Sequence, residues 1–160
     1  MGTLPFICTS TTDFNSLLNG YMTNGELAKA GEVLDKMERA GVKADVFTFT
    51  SLLDGYMKKG ELAKAGEVLD KMERAGVKAN VVTFNMLLNG YGKKRTMLRK
   101  CTEVLDKMLK MGLKPDTRTK NAMLRACKYA SDRRAFAQYE KKFSKVLGIP
   151  SDTYTPKWAW

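Results

Sequence analysis

Gly25-Glu-Leu-Ala-Lys-Ala-Gly-Glu-Val-Leu-Asp-Lys-Met-Glu-Arg-Ala-Gly-Val-Lys-Ala44 occurs twice in this chain, returning residue for residue as Gly60–Ala79, an offset of 35. Repetition at such a period marks an array of supersecondary units. The flanks keep the register: Phe14-Asn-Ser-Leu-Leu-Asn-Gly-Tyr21, Phe49-Thr-Ser-Leu-Leu-Asp-Gly-Tyr56 and Phe84-Asn-Met-Leu-Leu-Asn-Gly-Tyr91 belong to repeats that start at Thr11, Val46 and Val81. A degraded fourth repeat starts near Thr117. The register divides the chain into a lead-in (1–10), repeats over 11–45, 46–80, 81–116 and 117–152, and a tail (153–160).

In the second repeat Phe49, Leu52, Leu53 and Tyr56 fall at i, i+3, i+4 and i+7, the spacing of one helical stripe. Leu62, Ala65, Leu69 and Met72 form a second stripe, with Val68 on its edge and with Ala63 and Gly66 small enough to admit a neighbouring helix. Thr48 is placed to cap the first helix, Gly60 to end it in a left-handed conformation, and Gly76 to end the second. Each repeat therefore reads as a helical hairpin. One hairpin cannot bury both faces of two amphipathic helices, so the expected fold is all-α, about four hairpins stacked as an α-solenoid.

Two departures from the register carry their own expectations. The third repeat has one extra residue between Lys93-Lys94 and Glu103, which predicts a bulge or shifted turn. The fourth keeps Asn121, Met123 and Leu124, then Phe136, Tyr139 and Phe143 at helical spacing, but loses the Gly-Tyr signature and ends in Trp158-Ala159-Trp160. It reads as a terminal cap that shields the core.

Composition narrows the function. The chain has 28 Lys and Arg against 17 Asp and Glu, a net charge of +11 and a pI of about 9.6, which attracts polyanions and puts nucleic acid first among partners. No apolar run approaches the roughly 20 residues of a membrane span, so no membrane span is expected. The absence of histidine removes Ser-His and Cys-His nucleophilic sites and His-containing metal sites. Cys8, Cys101 and Cys127 lack the spacing of a zinc site or a disulfide framework. The expectation is a non-enzyme with no cofactor, no metal and no small-molecule substrate. Met1–Ser10 lacks the basic start of a secretory signal and the arginines of a transit peptide.

The 35-residue period, the opening Val81-Val-Thr-Phe-Asn85, the Leu-Leu-Asn-Gly-Tyr that follows it, and the closing Gly112-Leu-Lys-Pro-Asp116 together resemble the pentatricopeptide repeat family, with its P-type repeats. The Trp-Leu-Gly-Tyr pattern of the 34-residue tetratricopeptide unit is not met. The likeness covers Thr11 to about Asp152. It implies a right-handed superhelix whose first helices line a basic surface for single-stranded RNA, in RNA stabilisation, processing or translation in mitochondria or chloroplasts. Alternatives are a structural subunit of a larger ribonucleoprotein, such as an organellar ribosome, or a scaffold that binds protein.

By that resemblance the fifth residue of a repeat and its last choose a base. The pairs are Asn15 with Asp45, Thr50 with Asn80, Asn85 with Asp116, and, in the fourth repeat, Asn121 with Asp152 or Ser151. The family code implies uracil for Asn with Asp and adenine for Thr with Asn, hence a core of 5′-U-A-U-3′ and a pyrimidine after it. Capping alone also favours Asn and Asp at such places. The base-flanking second positions hold Thr12, Phe47, Val82 and Arg118; Phe47 either stacks on a base or is buried between repeats. Lys58 and Lys93, at the ends of first helices, are the implied phosphate contacts.

Overall fold

Each hairpin opens on a short polar side chain in an extended backbone conformation, the geometry of a helix N-cap. Ser10, Asp45, Asn80 and Asp116 hold these places. The helices they cap are α1 (Thr11–Asn24), α3 (Val46–Lys59), α5 (Val81–Tyr91) and α7 (Thr117–Ala130), and their partners are α2 (Leu27–Arg39), α4 (Leu62–Arg74), α6 (Leu98–Lys110) and α8 (Arg133–Leu147). This computed structural model describes residues 9–148, and every regular element among them is helical. Cys8, Ser151, Asp152, Trp158 and Trp160 lie outside the described residues.

The cap differs from the expected one. Asp45, not Thr48, caps α3: its carboxylate accepts from the Thr48 backbone N–H at 2.8 Å, while the Asp45 N–H donates back to the Thr48 hydroxyl. This reciprocal capping box satisfies two otherwise orphaned donors. Thr48 lies three residues into the box and is wholly buried. Asn80 with Thr83 and Asp116 with Thr119 repeat the arrangement.

Helix ends follow the glycines. Gly25 and Gly60 adopt φ of 76° and 77°, which lets the next N–H reach the Tyr21 and Tyr56 carbonyls and turns the chain into the second helix. In the fourth repeat Ser131 takes this left-handed position without glycine (φ 58°), and Asp132 then caps α8. The hairpin survives there through the same closing bonds, the Ser131 and Asp132 N–H groups donating to the Lys128 and Cys127 carbonyls at 2.9 and 3.0 Å.

The chain forms two compact bodies, one up to Ala79 and one from Asn80. In the first, α1 pairs with α2, α3 with α4, and α1 lies beside α3. Phe14, Leu18, Val33, Met37, Phe49, Leu52, Leu53 and Met72 fill its core, each large apolar side chain contributing about 1.5–3 kcal/mol by burial. Gly31, in the middle of α2, sits under Tyr56: a Cβ there would stand 2.7 Å from the tyrosine oxygen. Val68, expected at the edge of its stripe, is in the core. Identical sequence does not mean identical burial, since Leu27 and Leu34 remain half-exposed while Leu62 and Leu69 are buried.

In the second body α5 pairs with α6 and α7 with α8, and α7 also packs on α5 and α6. The extra residue of the third repeat is absorbed after α5, which stops at Tyr91 and continues through a turn and a 3-10 segment, Arg95–Met97, into α6. Gly92 suits this crowded place, since a Cβ there would press on the carbonyl oxygens of Leu88 and Ala122 at 2.8 and 2.9 Å. Cys101 and Cys127 are buried free thiols, pushed up to about 12 chiefly by desolvation. They fill space, Cys127 standing where earlier repeats have tyrosine. Among the described residues no helix is long and apolar enough to cross a membrane.

Candidate nucleic-acid interface

The second, fifth, ninth and thirteenth residues of a repeat fall within one helical face, opposite the stripe that Phe49, Leu52, Leu53 and Tyr56 bury. Phe47 and Val82 are each 55 % exposed on it, and Thr12 and Arg118 are exposed too. Phe47 is therefore not buried between repeats. Asn15, Thr50 and Asn85 are half-buried, and Asn121 is exposed.

The structure brings Asn85 and Asp116 together. The Asn85 amide nitrogen donates to both carboxylate oxygens at 3.0 and 3.1 Å, and the Asn85 carbonyl oxygen accepts from the Thr119 hydroxyl at 2.7 Å. Because a carboxylate only accepts, the amide can sit only one way round. One amide N–H and one carbonyl lone pair remain unspent. Asn15 is held at one end only: its carbonyl oxygen accepts from the Thr48 hydroxyl at 2.7 Å.

Partial burial pushes the carboxyls of Asp45 and Asp116 upward, but the hydrogen bonds donated to them, led by the N–H groups of Thr48 and Thr119, outweigh it. Both pKa values end below the ordinary carboxylate value, so both groups are anionic acceptors at neutral pH.

Thr50 belongs to the first body and Asn80 to the second. The Thr50 hydroxyl donates to the Val46 carbonyl at 2.8 Å, which spends its proton and leaves only acceptor lone pairs. Asn80 caps α5, its oxygen accepting from the Thr83 N–H at 3.0 Å. Asn121 lies on α7, and its partner position, Asp152 or Ser151, is outside the described residues.

Of the two lysines, Lys58 lies in the last turn of α3 and ion-pairs with Asp54 at 2.6 Å. Lys93 is exposed but not at a helix end: the early stop of α5 places it in the following turn. Sequence reasoning missed the buried threonines that orient the asparagines, although the spacing Asp45-x-x-Thr48, Asn80-x-x-Thr83 and Asp116-x-x-Thr119 marks a capping box. It also missed the ninth position, where Arg125 donates to the Asn89 side chain at 2.8 Å and extends the polar face from α7 to α5.

Comparison with known proteins agrees with this architecture. The Pentatricopeptide repeat domain model matches residues 32–94, the PPR repeat family model residues 79–128, and the PPR repeat model residues 13–42. The fold is similar to that of the pentatricopeptide repeat protein PPR10 in complex with an 18-nucleotide psaJ RNA element, at 20% identity and a TM-score of 0.66 over 87% of this chain and 20% of that one. PPR10 from maize is similar at 23% identity and a TM-score of 0.58, with 88% and 25% covered. The PPR domain of Arabidopsis thaliana protein-only RNase P 1, in complex with tRNA, is similar at 18% identity and a TM-score of 0.71, with 86% and 72% covered. The chain thus spans about a fifth to a quarter of the length of PPR10. No curated protein sequence matches it. With capped helical hairpins in both bodies and repeat models matched from residue 13 to residue 128, the chain belongs to the pentatricopeptide repeat family.

Proposed function

We propose that this protein binds single-stranded RNA along the exposed face of its first helices, one base per repeat, preferring 5′-U-A-U-3′. The carrying observation is the Asn85–Asp116–Thr119 cluster, which leaves one N–H and one carbonyl acceptor side by side on a fixed amide. That pair complements the adjacent acceptor and N–H on the Watson–Crick edge of uracil. Asn15, whose carbonyl oxygen the Thr48 hydroxyl holds, reads uracil the same way with Asp45. Thr50, an acceptor only, suits the exocyclic amine of adenine, with Asn80 completing the pair. Phe47 and Val82 flank the bases by stacking and van der Waals contact, and Thr12 and Arg118 take the same positions. Lys58 and Lys93 meet the phosphate backbone, and Asn121 with Asp152 takes a pyrimidine. The RNA-bound states of PPR10 and the Arabidopsis PPR domain support the reading.

Base stacking contributes about 1–3 kcal/mol per base, so three or four bases give modest affinity. The short array therefore works within a longer reader or a larger ribonucleoprotein, with roles in RNA stabilisation, processing or translation in mitochondria or chloroplasts. An anisotropy titration against strands carrying UAU or GCG tests the core claim. Preference for UAU that persists as salt rises supports it; equal binding of both strands refutes it.

A further inference from the structure

The positive charge is not shared evenly. Residues 11–80 hold 10 Lys and Arg against 11 Asp and Glu, a net charge of −1, whereas residues 81–148 hold 17 against 5, a net charge of +12. One third of the excess lies on α8, a second helix with five Lys and Arg and one Glu, away from the base-reading positions. The other second helices pair some of their cations locally: Lys36 with Glu32 on α2, Lys64 with Glu61 at the start of α4, and Arg99 and Lys100 with Glu103 on α6. On α8, Arg134, Lys141 and Lys145 are exposed, and among the described residues none of them forms an ion pair. Its one acid, Glu140, turns an oxygen into the interior.

Arg134, Lys141 and Lys145 stand at i, i+7 and i+11, within about 40° of one line along the helix and about 10 and 6 Å apart in rise. The opposite face, centred on the fully buried Phe143, packs against α7. Val146 is the only large apolar side chain that α8 leaves exposed, too little to insert the helix into a lipid surface. The stripe offers point charges and no aromatic platform, so it suits a regular row of phosphates rather than base edges.

We propose that the Arg134–Lys141–Lys145 stripe is a second RNA site, which takes the sugar-phosphate backbone of double-helical RNA next to the unpaired stretch. It extends the RNA-binding reading without depending on the base code. A-form duplex is recognised by shape and backbone contacts, which is what a straight cationic helix supplies. The second body would then grip a junction, with a base read on α5 and the adjoining stem held on α8.

The full chain is titrated with a blunt RNA duplex of about 16 base pairs and, separately, with a short UAU strand, over a range of salt. The triple variant Arg134→Gln/Lys141→Gln/Lys145→Gln is expected to bind the duplex about tenfold or more weakly at low salt, with a log–log salt slope shallower by about 2. Its affinity for the UAU strand should change by less than about threefold. A control of equal charge loss in the same body, Lys94→Gln/Lys110→Gln/Lys114→Gln, should leave duplex binding nearly intact. Equal loss in both triples reduces the stripe to a diffuse field and overturns the proposal. So does a duplex affinity that neither triple changes, or a larger effect of the stripe variant on phosphatidylserine vesicles or a polyglutamate peptide than on the duplex. If UAU is not preferred but the duplex results hold, the base reading fails and this site stands.

Discussion

The Asn85 amide nitrogen lies 3.0 and 3.1 Å from the two carboxylate oxygens of Asp116, a residue that also caps the helix of the following repeat. Orientation of the asparagine is thus set before any ligand arrives. Asp116→Ala is expected to cost about 0.5–2 kcal/mol of stability through the lost cap and to abolish discrimination between uracil and cytosine at that position. Thr119→Val keeps the Asp116 bond to the residue-119 N–H but removes the hydroxyl that holds both Asn85 and the Asp116 N–H, so discrimination should fall with a stability loss of about 1–3 kcal/mol. Urea unfolding and anisotropy titrations on the same preparations check both.

The middle base is the most direct test of the reading. Thr50→Asn together with Asn80→Asp gives the second repeat the residues of the first, and the preferred strand should change from UAU to UUU. Competition between these two strands measures it. An unchanged preference for adenine would remove the assignment of Thr50 and Asn80.

Asp45 and Asp116 make acid stability predictable. Their folded pKa values are lowered, so the unfolded chain binds protons more tightly than the folded one. The stability they contribute is complete above the unfolded value near 3.8 and is lost as pH falls through the lower folded values. Asp45→Asn/Asp116→Asn retains capping side chains while removing the titration. Its urea midpoint should fall less steeply than the wild-type midpoint as pH drops below about 4.

Lys58 is held by Asp54, which makes its charge only partly available to a phosphate. Asp54→Asn should tighten binding of every strand by about two- to fivefold at low salt, with no change in base preference. Lys58→Ala should weaken all strands alike. A base-selective response in either variant would contradict a backbone role.

Gly31 pays a helix-propensity cost of about 1 kcal/mol relative to alanine, and Tyr56 explains its presence. Gly31→Ala should be neutral or destabilising in the wild type, because the new Cβ meets the tyrosine oxygen at 2.7 Å. In a Tyr56→Phe background the same change should stabilise by about 1 kcal/mol. A double-mutant cycle in thermal or urea unfolding reads the coupling.

The hairpins were legible in the sequence because period, apolar stripe and glycine punctuation all point one way. Gly25 and Gly60 end first helices in the left-handed conformation that their places suggested, and the extra residue of the third repeat appears as a shifted turn. The cap at Asp45 was misread as Thr48 because both side chains suit the role; only the backbone shows which one stands outside the helix. Lys93 was misplaced for a different reason. Its register matches that of Lys58, but α5 stops at Tyr91, where the extra residue of the third repeat is absorbed, and Lys93 falls in the turn beyond. The exposure of Phe47 likewise rests on packing that a stripe pattern does not specify. Thr119 and Asn85 meet across 34 residues, a distance that only the folded hairpins close.

Asp45, Asn80 and Asp116 cap helices, and under the proposed reading they also choose bases, which restricts the alphabet open to evolution or engineering at these sites. Short side chains with an acceptor oxygen, chiefly Asp, Asn, Ser and Thr, do both jobs. A long cation or an aliphatic group would forfeit the cap, whatever new base it recognised. Each rewritten letter therefore falls on the repeat after it, and a long message can be edited only as fast as its next helix tolerates.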